Sequence, residues 1–301
     1  MAFTFLENIK CDLCDCENYK VKIEPENLDN IDYGKIFSAS GGVMGTQRIV
    51  TCTNCGLEYV NPRVKREIIF NGYSNETDEL YVSQADARIK TFRKCLRLVN
   101  RFYPKKGKIL DVGAAAGFFL KVAKDDGWET VGIEPSKWLS DWGNKKYNVN
   151  IKKGALSEYN FNNKEFDVIT MWDVLEHTFE PSKEIQSAFR YLKKDGLLVI
   201  NYPNAGSVLT KIFGKKWWFY LSVHLYYFTP KVIERYLTEA GFRILYHKRH
   251  FQTLEFGHLL KMIGLYNKTI SDLLLNIAGK LKLTKLQIPY YASQATLIAK
   301  K

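Results

Sequence analysis

Blocks of apolar residues alternate with amphipathic blocks along the chain from residue 108 onward. The short apolar runs KILDVG, TVGIEP, FDVITMWDVL and LLVINYP predict buried strands, and the amphipathic runs between them predict helices. A further helix and strand follow in PKVIERYLTEAG and FRILYHKRHF, and QATLIAK at residues 294–300 predicts a last strand. Strands that alternate with helices predict an α/β fold with a parallel sheet and helices on both faces.

Two other zones precede this alternation. Residues 1–62 are turn-rich and strand-like, and residues 63–105 read as a helical connector or substrate cap that ends near Pro104. The remaining residues, 106–301, form the main domain, which two insertions at 203–229 and 252–289 interrupt. Insertions of this length commonly carry substrate lids, interfaces or binding loops.

Composition and charge narrow the class of protein. The chain has 46% hydrophobic and 25% charged residues, which excludes disordered, collagenous and disulfide-rich classes. Residues 201–301 hold 15 Lys and Arg against 4 Asp and Glu, a surplus of 11 in a net charge of +12. This positive field favours an anionic ligand such as a sugar diphosphate, a nucleic acid or a membrane surface, unless the lysines are simply scattered over the surface.

Neither an export signal nor a long uninterrupted apolar run is found, so we expect a cytoplasmic protein with reduced thiols. Four of the six cysteines form two Cys-x-x-Cys pairs, Cys11 with Cys14 and Cys52 with Cys55. This spacing predicts a closed tetrahedral Zn²⁺ site with a structural role, against the alternative of four unrelated thiols. Cys16 could replace Cys14 as a ligand.

The motif ILDVGAAAG at residues 109–117 predicts a strand that turns tightly into a helix. Gly113 and Gly117 give the turn its torsional freedom, Asp111 precedes it, and Ala115 stands where a dinucleotide fingerprint would have a glycine. Glu134 ends the next strand, 23 residues after Asp111, where an acid can accept hydrogen bonds from ribose hydroxyls. The combination implies an adenosine ligand.

The segments ILDVGAAAGFFL, VGIEPS, FDVITMWDVLEHTFEP, LLVINYPN and HLYYFTP, in this order, resemble the class I S-adenosylmethionine-dependent methyltransferases over about residues 85–301. Within that class they are similar to the group of ubiquinone-pathway O-methyltransferases and sugar methyltransferases. The cysteine pairs followed by GLEYVNPR resemble the zinc-binding front end of nucleotide-sugar C-methyltransferases. The resemblance implies a Rossmann-like, mainly parallel seven-stranded sheet, a small zinc ribbon, and S-adenosyl-L-methionine as cofactor.

The resemblance also implies a set of cofactor-binding residues. They comprise Asp111, Gly113, Ala115 and Gly117 at the methionine moiety, Glu134 at the ribose, Ala155 and Leu156 at the adenine, and Trp172 and Asp173 at the methyl-donating end, and Phe118 and Pro135 also belong to the set. Two departures bear on cofactor affinity: Ala114 and Ala115 stand where the family often has Cys-Gly, and GALSEY lacks an acid that often contacts the adenine amine.

Methyl transfer needs an aligned acceptor and removal of its proton, for which neutral histidine is suited. The candidates are His177, after the fourth strand, and His224, which matches a histidine that acts on the sugar in related C-methyltransferases. The residue before that histidine is usually acidic in the family but is Val223 here. Tyr81 and Tyr73 match the region that supplies a substrate-contacting tyrosine, with core packing as the alternative role. His247, His250 and His258 are left as surface or core residues.

The predicted acceptor is a small anionic molecule, a nucleotide-linked sugar. RNA, a lipid-borne quinone or glycan, and a zinc-ribbon binding protein without catalysis remain as alternatives. The acidic segment IEPENLDNID at residues 23–32 disfavours nucleic acid. Residues 255–285 are amphipathic with interspersed lysines, which suits a peripheral membrane contact, packing against the sheet or a homodimer interface.

Overall fold

A seven-stranded sheet forms the centre of the computed structural model, which describes residues 5–25, 44–45, 47–68, 78–264 and 267–301. Its strands are β6 (Lys108–Val112), β7 (Glu129–Glu134), β8 (Ile151–Lys153), β9 (Phe166–Trp172), β10 (Leu192–Pro203), β12 (Arg243–Glu255) and β13 (Gln287–Lys300). Their spatial order is β12-β13-β10-β9-β6-β7-β8. All neighbours are parallel except β13, which runs antiparallel to both β10 and β12. The predicted α/β fold with a mainly parallel seven-stranded sheet is confirmed.

Helices connect these strands and precede them. They are α1 (Glu79–Ser83), α2 (Ala85–Phe102), α3 (Phe118–Asp125), α4 (Lys137–Tyr147), α5 (Pro181–Tyr191), α6 (Val208–Phe213), α7 (Pro230–Glu239), α8 (Phe256–Ile263) and α9 (Lys268–Lys280). Short 3-10 turns span Leu156–Glu158, Leu175–His177 and Gly214–Lys216. Local signals explain where α7 begins. The Thr229 hydroxyl accepts a hydrogen bond from the Val232 amide, and Pro230 occupies the first turn of the helix.

The last two strands are longer than the sequence pattern indicated. Residues Glu255 and Gln287 still pair, as do Gln252 and Tyr290. The predicted insertion at 252–289 is therefore wrong in its limits, and the segment that leaves the sheet lies between Glu255 and Gln287. The predicted strand at 294–300 likewise begins earlier, at Gln287, because aromatic and polar residues follow one another in the run IPYYAS and give no clear strand pattern.

The N-terminal residues form two small sheets. Strands β1 (Leu6–Glu7) and β5 (Arg63–Val64) pair with each other, and β2 (Tyr19–Ile23), β3 (Ile49–Cys52) and β4 (Glu58–Val60) form an antiparallel sheet. A fourth strand, β11 (Tyr226–Tyr227), joins that sheet from the aromatic insertion of the main domain and pairs with β4. Strand β5 lies beyond the predicted boundary at residue 62, so paired backbone crosses that limit.

The N-terminal module also shares side-chain packing with the main domain. Cys11 and Cys52 are buried in the same apolar cluster as strands of the central sheet. The Asp12 carboxylate accepts hydrogen bonds from the Ser182 amide and the Tyr236 hydroxyl, both 2.9 Å away, on α5 and α7. Burial and hydrogen bonds therefore hold the module against one end of the main domain.

Helices α8 and α9 form a pair beside the sheet whose outer surface is apolar. Leu273, Ile277 and Leu281 are 59%, 47% and 61% exposed, whereas the inward residues Ser271 and Ala278 are small and buried. Across the described ranges, no helix is both long and apolar enough to span a bilayer.

Gly143 in α4 offers a test of how tightly this helix packs against the turn that follows β6. A Cβ atom at Gly143 would lie 2.7 Å from the carbonyl oxygen of Ala116. We expect Gly143→Ala to lower the free energy of unfolding by about 1–3 kcal/mol in urea titrations, although alanine favours helix formation. Gly279→Ala in α9 is the matched control, because its Cβ would meet no described atom within 4 Å. That variant should gain up to about 1 kcal/mol, and equal losses in both would contradict the packing argument.

Candidate functional site

A cavity of about 740 Å³ opens at the carboxyl ends of the parallel strands. Residues from the ends of four adjacent strands line it, namely Gly113 after β6, Glu134 of β7, Asp173 after β9 and Asn201 of β10. Helices α2 and α8 and strands β12 and β13 supply further parts of the wall. This edge of a parallel sheet is where ligands bind in such folds.

The turn after β6 has the conformation of a ligand-binding loop. Gly113 and Gly117 have φ angles of +68° and +72°, and a Cβ at Gly113 would lie 2.6 Å from Val174. Ala115 also has a positive φ of +45°, which costs free energy for a residue with a Cβ. Its N–H donates to Glu134 Oε2 at 2.8 Å, so the turn is tied to the tip of the next strand.

Glu134 is the central acid of this wall. Its other oxygen accepts the Ser136 N–H at 2.8 Å, and burial raises the pKa of the carboxyl group to about 7. The carboxylate keeps lone pairs for further donors, because an ionised carboxylate offers about four acceptor positions. Pro135, Ala155 and Leu156 line the cavity beside it and make this part of the wall largely apolar.

Asp111 and Phe118 lie beneath the turn instead of on the cavity wall. Asp111 is 1% exposed and accepts a hydrogen bond of 2.5 Å from the Thr170 hydroxyl, and burial raises its pKa to about 8. Phe118 is buried against Tyr81 and Trp142. Gly117 begins α3, and a Cβ there would meet Ile151 at 2.9 Å. The geometry gives these three residues supporting positions below the predicted methionine subsite.

A chain of polar side chains extends from Asp173 across one wall. Asp173 has a φ of +55°, and its Oδ1 accepts from Asn201 at 2.7 Å and from Gln294 at 2.6 Å. The side-chain oxygen of Gln294 in turn accepts from the side-chain amide of Gln252. The side-chain oxygen of Gln252 accepts from the Tyr290 hydroxyl at 3.0 Å. Burial raises the pKa of Asp173 to about 6. Amide and hydroxyl groups thus line the region next to Trp172, which also borders the cavity.

The two histidines predicted to act on the acceptor lie together. Their ring centroids are 4.7 Å apart; His177 lines the cavity, and His224 lies behind it, 4% exposed. Burial lowers the pKa of His177 to about 4 and that of His224 well below its usual range. Both rings are therefore neutral near pH 7.

Tyr81 borders the cavity from α1, held between two neighbours. Its ring stacks on Phe118 at 5.5 Å, and the Arg88 guanidinium lies 4.0 Å from the ring centroid. Burial raises the pKa of the Tyr81 phenol to about 12. This arrangement favours a role in positioning Arg88 over proton transfer. Tyr73 and most of the acidic segment 23–32 lie outside the described residues.

Sequence reasoning missed several cavity residues. They are Arg88, Asn201, His250, Gln252, Tyr290 and Gln294. The usable signal was a polar side chain within an otherwise apolar strand, such as Asn201 in LLVINYP and Gln294 in SQATLIAK. Such residues are buried only when they are hydrogen-bonded, so they indicate a polar network.

The four paired cysteines converge at the end of the N-terminal module. The Sγ atoms of Cys11 and Cys55 are 3.4 Å apart and those of Cys14 and Cys52 are 3.6 Å apart, with all four within 4.8 Å of one another. Tetrahedral coordination with Zn–S bonds of about 2.3 Å places sulfurs about 3.8 Å apart, so the donor set fits that ion. Cys16 instead directs its thiol to the Asn18 carbonyl oxygen.

Comparisons with known proteins agree with this architecture. A family model described as a methyltransferase domain matches residues 87–247. An uncharacterized protein of Methanocaldococcus jannaschii is 27% identical over 179 residues, which cover 58% of this chain and 81% of that protein. A ubiquinone biosynthesis O-methyltransferase of Coxiella burnetii is 24% identical over 163 residues, covering 50% of this chain and 70% of the relative.

Solved structures show the same fold. A methyltransferase of Thermotoga maritima, described as a possible histamine N-methyltransferase, aligns with a TM-score of 0.50 at 18% identity, covering 74% of this chain and 94% of that chain. An S-adenosylmethionine-dependent methyltransferase of Archaeoglobus fulgidus aligns with a TM-score of 0.50 at 19% identity, and the alignment covers 74% of this chain and 100% of that chain. The chain belongs to the methyltransferase domain family, and its fold is that of the class I S-adenosylmethionine-dependent methyltransferases.

Proposed function

We propose that this methyltransferase acts on a sugar-type small molecule that carries an anionic group, with a nucleotide-linked sugar as the favoured class. One observation carries the part of the proposal that concerns the methyl donor. Glu134 lies on the cavity wall and accepts a hydrogen bond from the turn at Ala115. The polar wall from Asp173 to Tyr290 supports the part that concerns the acceptor, because amide and hydroxyl groups can form hydrogen bonds with the hydroxyl groups of a sugar.

The proposed cofactor position follows from this wall. Glu134 would accept hydrogen bonds from both ribose hydroxyls, and Ala155 and Leu156 would lie along the adenine. The methionine moiety would lie over Gly113, and the Arg88 guanidinium on the same cavity wall is suited to its carboxylate. Trp172 and Asp173 would then flank the methyl group.

For methyl transfer, the protein must align the donor with the acceptor and allow the acceptor to lose a proton. Transfer from a sulfonium is an in-line displacement, so a cavity that orients the donor and acceptor supplies much of the rate. His177, on the wall, is the residue that we assign to the acceptor end, with His224 supporting it from behind. Arg66 and Lys261 line the same cavity and would meet an anionic group of the acceptor.

A second acceptor class has support from helices α8 and α9. The exposed apolar residues Leu273, Ile277 and Leu281 lie among the exposed lysines 268, 280, 282 and 285. Such a surface fits the interface of an anionic membrane. His258, Lys261 and Met262 of α8 line the cavity, so a lipid-linked glycan or quinone could reach it from this side.

We further propose that Cys11, Cys14, Cys52 and Cys55 bind one structural Zn²⁺. Four thiolates close the coordination sphere, so the ion would take no part in methyl transfer. Its contribution would be to folding, because Cys11 and Cys52 belong to the shared apolar core.

Replacing Glu134 tests the cofactor position. Glu134→Gln should weaken S-adenosylhomocysteine binding by about 10- to 100-fold in calorimetry, because hydrogen bonds to a charged acceptor are lost. Since burial raises the pKa of this carboxyl to about 7, wild-type affinity should be about tenfold lower at pH 6 than at pH 8, where the ionised acceptor dominates. Glu184→Gln, an acid on the same cavity wall, is the control and should keep both affinity and pH profile. A pH profile unchanged in Glu134→Gln would remove the residue from this role.

The zinc proposal predicts different outcomes for two neighbouring cysteines. Cys14→Ser should lose one equivalent of zinc by elemental analysis and lower the midpoint of thermal unfolding by roughly 5 °C or more. Cys16→Ser should retain the metal and the midpoint, because its sulfur lies outside the cluster. Loss of zinc in both variants, or in neither, would contradict the ligand set.

The acceptor classes are separated by one label-transfer experiment. The enzyme is given S-adenosylmethionine with a labelled methyl group, together with either nucleotide sugars or anionic vesicles that contain lipid-linked glycans. Label in the water-soluble fraction supports the nucleotide-sugar class. Label in the lipid fraction that is lost in Leu273→Glu/Ile277→Glu supports the lipid-linked class, and Asn276→Glu controls for the added charge. Absence of label in both fractions, with cofactor binding intact, would refute both acceptor classes.

A further inference from the structure

A second cluster of metal-ligating side chains lies at the acceptor end of the cavity. It consists of Glu176 and His177, in the 3-10 turn after β9, and His224, in the aromatic insertion. Their ligand atoms all lie within 4.8 Å of one another. His224 lies 47 or more positions after the other two residues in the sequence, so only the fold brings the three together.

The backbone fixes the tautomer of both histidines. His177 Nδ1 lies 2.9 Å from the Val223 carbonyl oxygen, and His224 Nδ1 lies 2.7 Å from the Phe219 carbonyl oxygen. A carbonyl oxygen can only accept, so each Nδ1 carries the hydrogen and each Nε2 carries the lone pair. Metal-binding histidines are typically held in this way, with the second nitrogen donating to a carbonyl or carboxylate.

Glu176 has no counterpart for its charge in the described part of the chain. The residue is 1% exposed, and neither carboxylate oxygen has a hydrogen-bond partner among the described residues. Its backbone is well fixed, since the Leu225 amide donates to its carbonyl oxygen at 2.7 Å. Burying an acid in this way is costly unless a cation or a donor satisfies it. Two imidazole groups and this carboxylate thus converge, each with a possible ligand atom within 4.8 Å of the others.

We propose that Glu176, His177 and His224 bind a divalent cation. Two histidines and one carboxylate are a recurrent ligand set for Zn²⁺, Fe²⁺ and Mn²⁺ when coordination positions are kept open for a substrate. The cluster differs from the cysteine site, whose four soft thiolates close the coordination sphere. His177 lines the cavity, so the cluster borders the space that we assign to the acceptor.

The site deepens the proposed function, on which this step rests, by specifying an oxygen acceptor. A hydroxyl group of the acceptor binds the cation, which lowers its pKa, and its proton passes to solvent water. The oxygen then forms a bond to the methyl carbon, the carbon–sulfur bond breaks with its electron pair on sulfur, and S-adenosylhomocysteine leaves.

Titration of Mn²⁺ into the zinc-loaded full-length protein tests the proposal, because Mn²⁺ binds nitrogen and oxygen ligands and competes poorly for thiolates. The loss of the free-ion electron paramagnetic resonance signal measures binding. We expect one Mn²⁺ per wild-type chain and an affinity lowered by at least about 10- to 100-fold in Glu176→Gln and in His224→Asn. Glu184→Gln is the matched control, since it removes a partly buried acid that lines the cavity outside the cluster, and it should bind Mn²⁺ as the wild type does.

Binding of S-adenosylhomocysteine is measured on the same samples. It reports folding of each variant, and its absence in the wild type would refute the cofactor proposal without touching the metal result. The metal site is overturned if the wild type binds neither Mn²⁺ nor a second equivalent of Zn²⁺. Undiminished Mn²⁺ binding by both Glu176→Gln and His224→Asn would place the ion elsewhere and also overturn it. Loss of turnover in these variants without any metal binding would assign the cluster to proton transfer instead.

Discussion

The parallel alignment of β6, β7, β9 and β10 is the constraint on which the rest of this molecule depends. Parallel strands end at one edge of a sheet, so residues that directly follow four separate strands meet around one cavity. The Ala115 amide and the Glu134 carboxylate are close for this reason alone, although 19 residues separate them. Strand β13, which enters antiparallel, adds Gln294 to the same rim and completes the polar wall.

The sequence could predict those parts of the fold that are encoded locally. Apolar runs located the central strands, and the glycine turn with Glu134 located one wall of the cavity, because the ends of adjacent parallel strands lie side by side. The pairing of β11 with β4 had no such local signal, since two residues of a strand carry too little pattern. The limits of β12 and β13 were misplaced where aromatic and polar residues follow one another, as in PYYAS.

The end of the cavity that we assign to the acceptor shows most clearly why a linear pattern falls short. The resemblance to C-methyltransferases implied an acid directly before His224, but Val223 stands there. The fold supplies a carboxylate from another direction, since Glu176 follows β9 and its carbonyl oxygen binds the amide of Leu225, next to the histidine. Asp111 presents the converse case: its position in the motif implied ligand contact, and burial beneath the turn gives it a supporting place instead.

The four-stranded N-terminal sheet has a consequence for the order of events during synthesis. Tyr59 of β4 pairs with Tyr226 of β11, so its edge stays uncovered until 167 further residues have been translated. At roughly 5–20 residues per second, this interval lasts about 8 to 33 s. Throughout it, the cysteine-bearing hairpin must persist on the ribosome with an open backbone edge and reactive sulfurs. Capture of a metal ion by the four thiols of the nascent chain would protect the sulfurs during this interval, whereas the edge of β4 stays open until β11 pairs with it.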